Sequence, residues 1–348
     1  MRLFGRGGRG VMSRITRREL FGAAARAAAA AMVGGLAGCR RRLPALDTVV
    51  IQGAPSPPSL ALVRVAEQGV PEGLARAARF QLWSTADEMR ARITSGQAHF
   101  SGLPINVAAT LYNRGLEVQL LSIYIWGILY LVTRDPALAS LEDLRGQTVL
   151  IPFRGDLPDI LTQYLLRHQG LRLAADGDVH PSYLSAAPEA AQLLAAGRAT
   201  HAVLSEPSAT LAILKARENG LSLHRALDYA QLWAAATGGP ARLPMAGVVV
   251  APGLARSHPE LVAWFQAAHR QAVSWVQAQP EEATRLGAGY IQAIPPAAML
   301  GSMPYIQFAF EEALAAREEI EFFLSEMHSL APELVGGRLP PEGFYYRG

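Results

Sequence analysis

Short β-branched and aliphatic runs alternate with helical stretches from Thr48 to Ala251, and that rhythm restricts the chain to sheets covered by helices, with parallel pairing favoured. Thr48-Val49-Val50-Ile51 is ended by Gly53 and the prolines 55, 57 and 58, and a helix follows with Leu60, Val63 and Ala66 on one face. Phe80–Trp83 and Phe100–Gly102 read as further strands. The helix after the first opens at Ser84-Thr85-Ala86-Asp87, and the helix after the second covers Asn106–Tyr112. The apolar stretch Leu120–Val132 contains Ser122 and Tyr124 and is broken by Gly127, so it reads as two buried strands, Val118–Ile125 and Leu129–Thr133, and not as a membrane span. The rhythm then repeats, with strands at Thr148–Pro152, Val179–Tyr183 and His201–Leu204 and helices at Asp156–His168, Pro188–Ala196 and Pro207–Glu218. One more strand, Ala246–Ala251, precedes a region that reads as almost wholly helical from Pro259 to Met327.

The one cysteine, Cys39, ends Leu36-Ala37-Gly38-Cys39, after the apolar run Ala27–Ala37. Upstream, Thr16-Arg17-Arg18-Glu19-Leu20-Phe21 is similar to a twin-arginine export signal, so residues 1–38 are expected to be a signal peptide, with Cys39 the lipidated first residue of a bacterial lipoprotein. The plainer alternative is an ordinary cysteine after a basic leader. A single thiol excludes an intramolecular disulfide and a thiolate metal cluster. Of the 32 Lys+Arg and 29 Asp+Glu, residues 1–38 hold seven arginines and one glutamate, leaving 25 against 28; without Arg40, Arg41 and Arg42 the balance is 22 against 28. An acidic body removes the electrostatic basis for binding nucleic acid, while the three arginines suit anionic headgroups beside a lipid anchor.

Four segments, in order, carry a resemblance to a known family. They are the Gly53-Ala54-Pro55-Ser56 turn; Arg90–Thr110, with Ser95-Gly96-Gln97-Ala98-His99-Phe100-Ser101-Gly102 at its centre; Ser140-Leu141-Glu142-Asp143-Leu144-Arg145-Gly146-Gln147-Thr148-Val149; and Leu193–Pro207, with Ala195-Ala196-Gly197-Arg198 and Val203-Leu204-Ser205-Glu206-Pro207. Together they resemble the substrate-binding proteins of ABC importers, in the branch handling nitrate, sulfonates, taurine and thiamine-precursor-like compounds, over nearly all of Val49–Ala331. The resemblance implies an α/β fold, a two-lobe periplasmic-binding-protein clamshell with two hinge crossovers and mixed, largely parallel sheets. Lobe one would comprise residues 47–134 plus 245–348, and lobe two residues 136–240. It further implies a monomer that binds a small molecule between its lobes, needs no cofactor, and delivers its cargo to a permease in the inner membrane. The place of work would be the periplasm or the outer face of the cytoplasmic membrane.

Ligands of open α/β sheets gather beyond the strand ends, where helix N-termini offer backbone N–H groups. The strand ends of lobe one give Ala54, Ser56, Ser59, Trp83, Ser84, Leu103, Asn106, Tyr124 and Trp126 as candidates. Those of lobe two give Arg154, Gly155, Asp156, Asp159, Ser182, Tyr183, Ser205 and Glu206. Ser84 with Asp87 could equally be a helix cap, and Trp83 a core residue. Trp126, just before Gly127, could stack on a planar ligand. Arg154 could donate to an anionic or carbonyl group, or only pair with Asp156 and Asp159 at a helix start that those acids cap and complement. Carboxylates at that helix start take the place a simple anion needs, which points to a polar organic ligand, zwitterionic or heterocyclic. Glu206, in the family's "EP" element, is implied to brace the hinge side of lobe two.

Enzyme chemistry finds few footholds. Lys215, the only lysine, lies beside Arg217 and Glu218 on an expected solvated helix face, which weighs against relatives of the pyrimidine synthases. The eight histidines form no zinc-ligand pair, and there is no Gly-x-Ser-x-Gly elbow or Walker loop. A clamshell serving as a sensory or partner-binding module is the alternative class. The Pro340–Gly348 tail, with Phe344, Tyr345 and Tyr346, is expected to strap across lobe one.

Overall fold

A computed structural model describes residues Ala45–Gly348. The expected signal peptide, its Arg17-Arg18 pair and the lipidation site Cys39 lie outside the described residues. In chain order the first sheet is entered by β1 (Leu46–Gly53), α1 (Ser59–Glu67), β2 (Ala75–Leu82), α2 (Ala86–Thr94), β3 (Phe100–Pro104), α3 (Ile105–Asn113) and β4 (Gln119–Ile125). The second follows with β5 (Leu129–Thr133), β6 (Thr148–Pro152), α4 (Leu157–His168), β7 (His180–Leu184), α5 (Ala187–Ala195), β8 (His201–Ser205), α6 (Ser208–Glu218), β9 (His224–Asp228) and α7 (Tyr229–Thr237). The chain then returns to the first sheet through β10 (Ala246–Val250), α8 (Pro259–Ala278), α9 (Pro280–Ala288), α10 (Pro296–Ser302), β11 (Phe308–Glu312) and α11 (Arg317–Leu330).

The six-stranded sheet has the order β11-β4-β10-β3-β1-β2, and the five-stranded sheet the order β7-β6-β8-β5-β9. Parallel pairing holds within the β–α units, between β1 and both β2 and β3 and between β6 and both β7 and β8. Pairing is antiparallel wherever β4, β5, β10 or β11 inserts, so both sheets are mixed and only their β–α halves are parallel. Register places the strand ends side by side. Ile51 pairs with Phe100 and Gly53 with Leu82, while Leu150 pairs with Ala202, so the turns leaving each sheet's parallel strands emerge together.

Several elements depart from the sequence reading. β2 begins at Ala75, because its start, Ala-Arg-Ala-Ala-Arg, sits at a sheet edge and needs few large apolar residues. β9 and α7 went unread, and β11 interrupts the region expected to be helical. The tail does strap the first sheet: Tyr346 N–H donates to Leu120 O at 3.0 Å, and Phe344 and Tyr345 are fully buried. Lys215 lies on the exposed face of α6, paired with Glu218 at 2.8 Å.

Two crossovers join the sheets, Trp126–Ile128 between β4 and β5 and residues 238–245 between α7 and β10. They are tied to each other, since Leu243 N–H donates to Trp126 O (2.5 Å) and Met245 N–H to Ile125 O (2.9 Å). A third segment joins them through Gln307, whose carbonyl accepts from Trp126 N–H and whose own N–H donates to Gly127 O, both at 2.8 Å. Gly127 permits this approach, because a Cβ there would come within 2.8 Å of the Gln307 side chain. The Arg242 guanidinium lies 3.5 Å from the Trp126 ring centroid and pairs with Glu311 (2.7 Å) and Glu319 (2.8 Å). Arg242→Ala removes the stacking and both pairs and is expected to lower the unfolding free energy by about 1–3 kcal/mol, read by urea denaturation.

The six-stranded sheet packs on α8 through Phe265, which stacks on Phe100 at 3.8 Å between centroids. One turn on, His269 is fully buried among Tyr124, Phe265 and Phe310, and neither ring nitrogen has a partner among the described residues. Burial holds its pKa down at about 3, and burial also lowers His99 and His201. An unfolded chain takes up a proton on His269 near pH 6.5 while the folded chain does not, so stability is complete above neutrality and falls as the pH drops from 6.5 toward 3. His269→Phe is expected to remove about 2 kcal/mol of the loss in unfolding free energy between pH 7 and pH 5. Parallel acid limbs for the two proteins, measured by urea denaturation, would contradict this.

Candidate functional site

The turns that emerge from the two sheets face one another across a cavity of about 260 Å³. Its walls on the six-stranded side come from the β1–α1 turn (Ala54, Ser56, Pro58, Ser59), the end of β2 (Trp83), the β3–α3 junction (Gly102, Leu103, Pro104, Asn106), the end of β4 (Tyr124, Ile125) and the start of β10 (Met245, Ala246). The other side is built by Ile128 and Leu129 at the crossover, Phe153 and Asp156–Pro158 before and within the first turn of α4, and Ser205 and Glu206 at the end of β8. A Cβ on Gly102 would stand 3.1 Å from the Tyr124 hydroxyl and 2.5 Å from Leu62 Cδ1, so glycine is what leaves this wall open.

Of the residues singled out in the sequence, the structure brings Ala54, Ser56, Ser59, Trp83, Leu103, Asn106, Tyr124, Asp156, Ser205 and Glu206 to this cavity. Ser59 Oγ donates to Ala54 O at 2.6 Å and shapes the first turn. Trp83 Nε1 is buried without a partner among the described residues. Tyr124 is buried, which raises its hydroxyl pKa, and its ring meets His269 edge-on at 4.8 Å.

Seven of the expected residues lie elsewhere. Ser84 is exposed; its N–H is held by the Glu88 carboxylate at 2.7 Å, while Thr85 caps α2 by accepting from Glu88 N–H at 3.1 Å. Trp126 is buried in the crossover, its indole N–H donating to Ala309 O at 2.8 Å, and its ring is covered by Arg242 and not by the cavity. Arg154, Gly155 and Tyr183 line a separate depression with Asp159, where the Arg154 guanidinium sits 5.0 Å from the Tyr183 ring centroid. Asp159 is buried and accepts from Gly155 N–H (2.8 Å), Gln163 Nε2 (3.0 Å) and Tyr183 OH (3.1 Å), so it is committed to the start of α4. Burial, together with the Asp159 charge, pushes the Tyr183 hydroxyl up to about 12. Ser182 likewise takes no part in the cavity wall.

Two carboxylates face the cavity in different states. Glu206 accepts from Thr210 N–H (3.1 Å), Thr210 Oγ1 (2.8 Å) and Arg225 Nε (2.6 Å), so its charge is matched at the base of β8 and β9. Burial raises its pKa, while Arg225 and Thr210 pull it back. The Arg225 guanidinium lies 3.5 Å from the Tyr305 ring centroid, continuing the brace toward the C-terminal region. Asp156 makes no ion pair among the described residues. Its Oδ1 accepts from Leu157 N–H (2.7 Å) as the cap of α4 and from Asn106 Nδ2 (3.1 Å), a hydrogen bond that reaches across the cavity between the two sheets' elements.

Phe153 was not anticipated. It sits at the mouth, 43% exposed, with φ of 61°, a conformation that a bulky side chain rarely adopts. The sequence signal available was its place between a strand end and Arg154-Gly155-Asp156. Ile128 and Met245, also unforeseen, reach the cavity because the crossovers form its floor. Among the described residues no group of three or more His, Cys, Asp or Glu side chains is arranged to hold a metal ion, and no helix is long and apolar enough to cross a membrane.

No protein-family model matches the chain, and no curated protein matches it. Solved structures do. One is described as an ABC transporter from Parabacteroides distasonis: the TM-score is 0.72 and the identity 25%, over 86% of this chain and 99% of that one. The periplasmic aliphatic sulphonate binding protein SsuA from Escherichia coli is similar with a TM-score of 0.64 and 14% identity, over 86% and 92% of the two chains. The periplasmic nitrate-binding protein NrtA from Synechocystis PCC 6803 is similar with a TM-score of 0.60 and 14% identity, over 81% of each chain. With two mixed sheets, two adjacent crossovers and a cavity between the strand ends, residues 45–348 have the two-lobe clamshell fold of the periplasmic substrate-binding proteins of ABC transporters.

Proposed function

We propose that this chain is the solute-binding component of an ABC importer, capturing a small organic molecule between its sheets and handing it to a membrane permease. The observation that carries the reading is the cavity itself, walled by the strand ends of both sheets and floored by the two crossovers. Closure about crossovers of this kind buries a ligand and presents the occupied protein to a partner. The volume, just under the roughly 300–1,000 Å³ of ordinary small-molecule sites, suits a compact cargo. In this reading residues 47–134 with 245–348 form one jaw, residues 136–240 the other, and no catalysis is required of either.

The same proposal places the protein outside the cytoplasmic membrane, exported by the Arg17-Arg18 signal and held by a lipid on Cys39. A tether of this kind keeps the binding protein at high local concentration near its permease. Cys39→Ser is expected to move the protein from the membrane fraction to the soluble fraction of cells, and unchanged partitioning would remove the anchor from the account.

A thermal-shift screen of the purified protein against amines, amino acids, nucleobases, sulfonates and nitrate tests capture directly. A ligand at a hundred times its dissociation constant adds about 2.7 kcal/mol of stability, a visible rise in Tm. A response confined to one chemical class is expected. A flat response across all classes would point instead to a clamshell that serves a protein partner.

A further inference from the structure

The cavity carries an electrostatic signature that narrows the cargo. Its wall contains no lysine, arginine or histidine, although it contains Asp156 and Glu206. Glu206 is matched by Arg225, which leaves the Asp156 carboxylate as the uncompensated charge at the mouth. The backbone donors that an oxyanion would need at the start of α4 are already used. Asp156 N–H donates to Phe153 O, Leu157 N–H to the Asp156 carboxylate, Asp159 N–H to Asp156 O, and residue 158 is proline. At α6 the Thr210 N–H is likewise taken, by Glu206. At the start of α4, where Asp156 stands, the donors that could hold an anion are therefore taken by the protein's own acceptors.

A second observation is independent of the helix ends. Asn106 is only 3% exposed and lines the cavity, and its Oδ1 has no partner among the described residues. The amide is oriented by its Nδ2, which donates to Asp156 Oδ1 and so leaves the carbonyl as the group to be satisfied. A buried carbonyl left unpaired is costly, and a ligand N–H recovers that cost. Asp156 Oδ2 accepts nothing among the described residues either. Two neighbouring acceptors, one charged, call for a donor-bearing cation. Around them the wall is hydrocarbon, with Leu103, Ile125, Ile128 and Leu157, and the Trp83 and Phe153 rings add aromatic surface.

We infer that the cleft takes a compact, largely apolar organic cation, a protonated amine whose N–H groups reach Asn106 Oδ1 and the Asp156 carboxylate. The inference rests on the solute-binding reading and deepens it by fixing the ligand's class. A charge-assisted bond to Asp156 offsets the desolvation of the ammonium, and an exposed aromatic ring such as Phe153 gives a further favourable face to a cation. Sulfonate or nitrate would meet the Asp156 charge with no cation to balance it.

The test uses three probes that share one phenethyl group, phenethylammonium, 2-phenylethanol and 2-phenylethanesulfonate, titrated calorimetrically into the full-length protein and its Asp156→Asn variant. Asparagine caps a helix as well as aspartate does, so the variant keeps α4 while exchanging the charge and the free acceptor oxygen for a neutral amide NH2. The ammonium is expected to bind most tightly, the sulfonate not to bind, and Asp156→Asn to weaken the ammonium at least tenfold while sparing the alcohol. Equal or tighter binding of the sulfonate would overturn the ligand class and leave solute capture standing. So would an ammonium affinity indifferent to Asp156→Asn. If none of the three binds while another class raises the Tm, this inference fails alone; if nothing of any class binds, both readings fail together.

Discussion

The stacking of Arg242 on Trp126, anchored by Glu311 and Glu319, is the contact on which the rest of the architecture depends. Two sheets joined only by short crossovers could take many relative positions. Here the crossovers are hydrogen-bonded to each other and to the segment at Gln307, so three stretches far apart in sequence form one narrow joint. The cation sits over the indole of the first crossover, belongs to the second, and pairs with carboxylates of β11 and α11. The joint thereby fixes where Ile128 and Met245 lie, and these two form the floor of the cavity. The Arg225, Glu206 and Tyr305 contacts brace the same side from the five-stranded sheet.

Opposite the joint, the cavity is shaped by residues that serve the fold and the site together. Asp156 caps α4 and reaches Asn106, which is carried by a helix of the other sheet. A single hydrogen bond to a charged acceptor contributes about 1.5–3 kcal/mol, a modest tie between the two sheets' elements. Glu206 has a different part, since its carboxylate is consumed by Thr210 and Arg225. Two acids at equivalent strand ends thus differ because one has an arginine paired with it and the other does not.

Much of this was legible in the sequence, and the limits have physical causes. The β–α rhythm, the order of strands up to β8 and the helix starts were readable because apolar periodicity and punctuation by Gly and Pro are local signals. β9 and β11 were not, since His224–Asp228 and Phe308–Glu312 are short strands at sheet edges, alternate weakly, and owe their conformation to partners more than 90 residues away in the chain. Among the site candidates, those at the ends of β1, β3 and β4 reached the cavity because register alone brings such ends together. Trp126 and Arg154 did not. Which way a side chain turns at a strand end depends on tertiary partners, Ala309 and Arg242 for the one and Tyr183 for the other, and the local sequence does not contain them. The displacement of Arg154 from the cavity also changes the chemistry, from a site with a cation and acids to one with an acid and hydrocarbon.

If the two sheets are jaws that close on a solute about the Trp126–Arg242 joint, ligand draws them together. The most direct measurement is the distance between spin labels on exposed Ser95 and Ser185, one on each side of the cavity, in a Cys39→Ser background that leaves no other cysteine to label. Pulsed electron spin resonance should show a longer, broader distribution for ligand-free protein and a shorter, narrower one when a ligand from the thermal-shift panel saturates the site. A distribution that ligand leaves unchanged would contradict closure and with it the account of the cavity as a capture site.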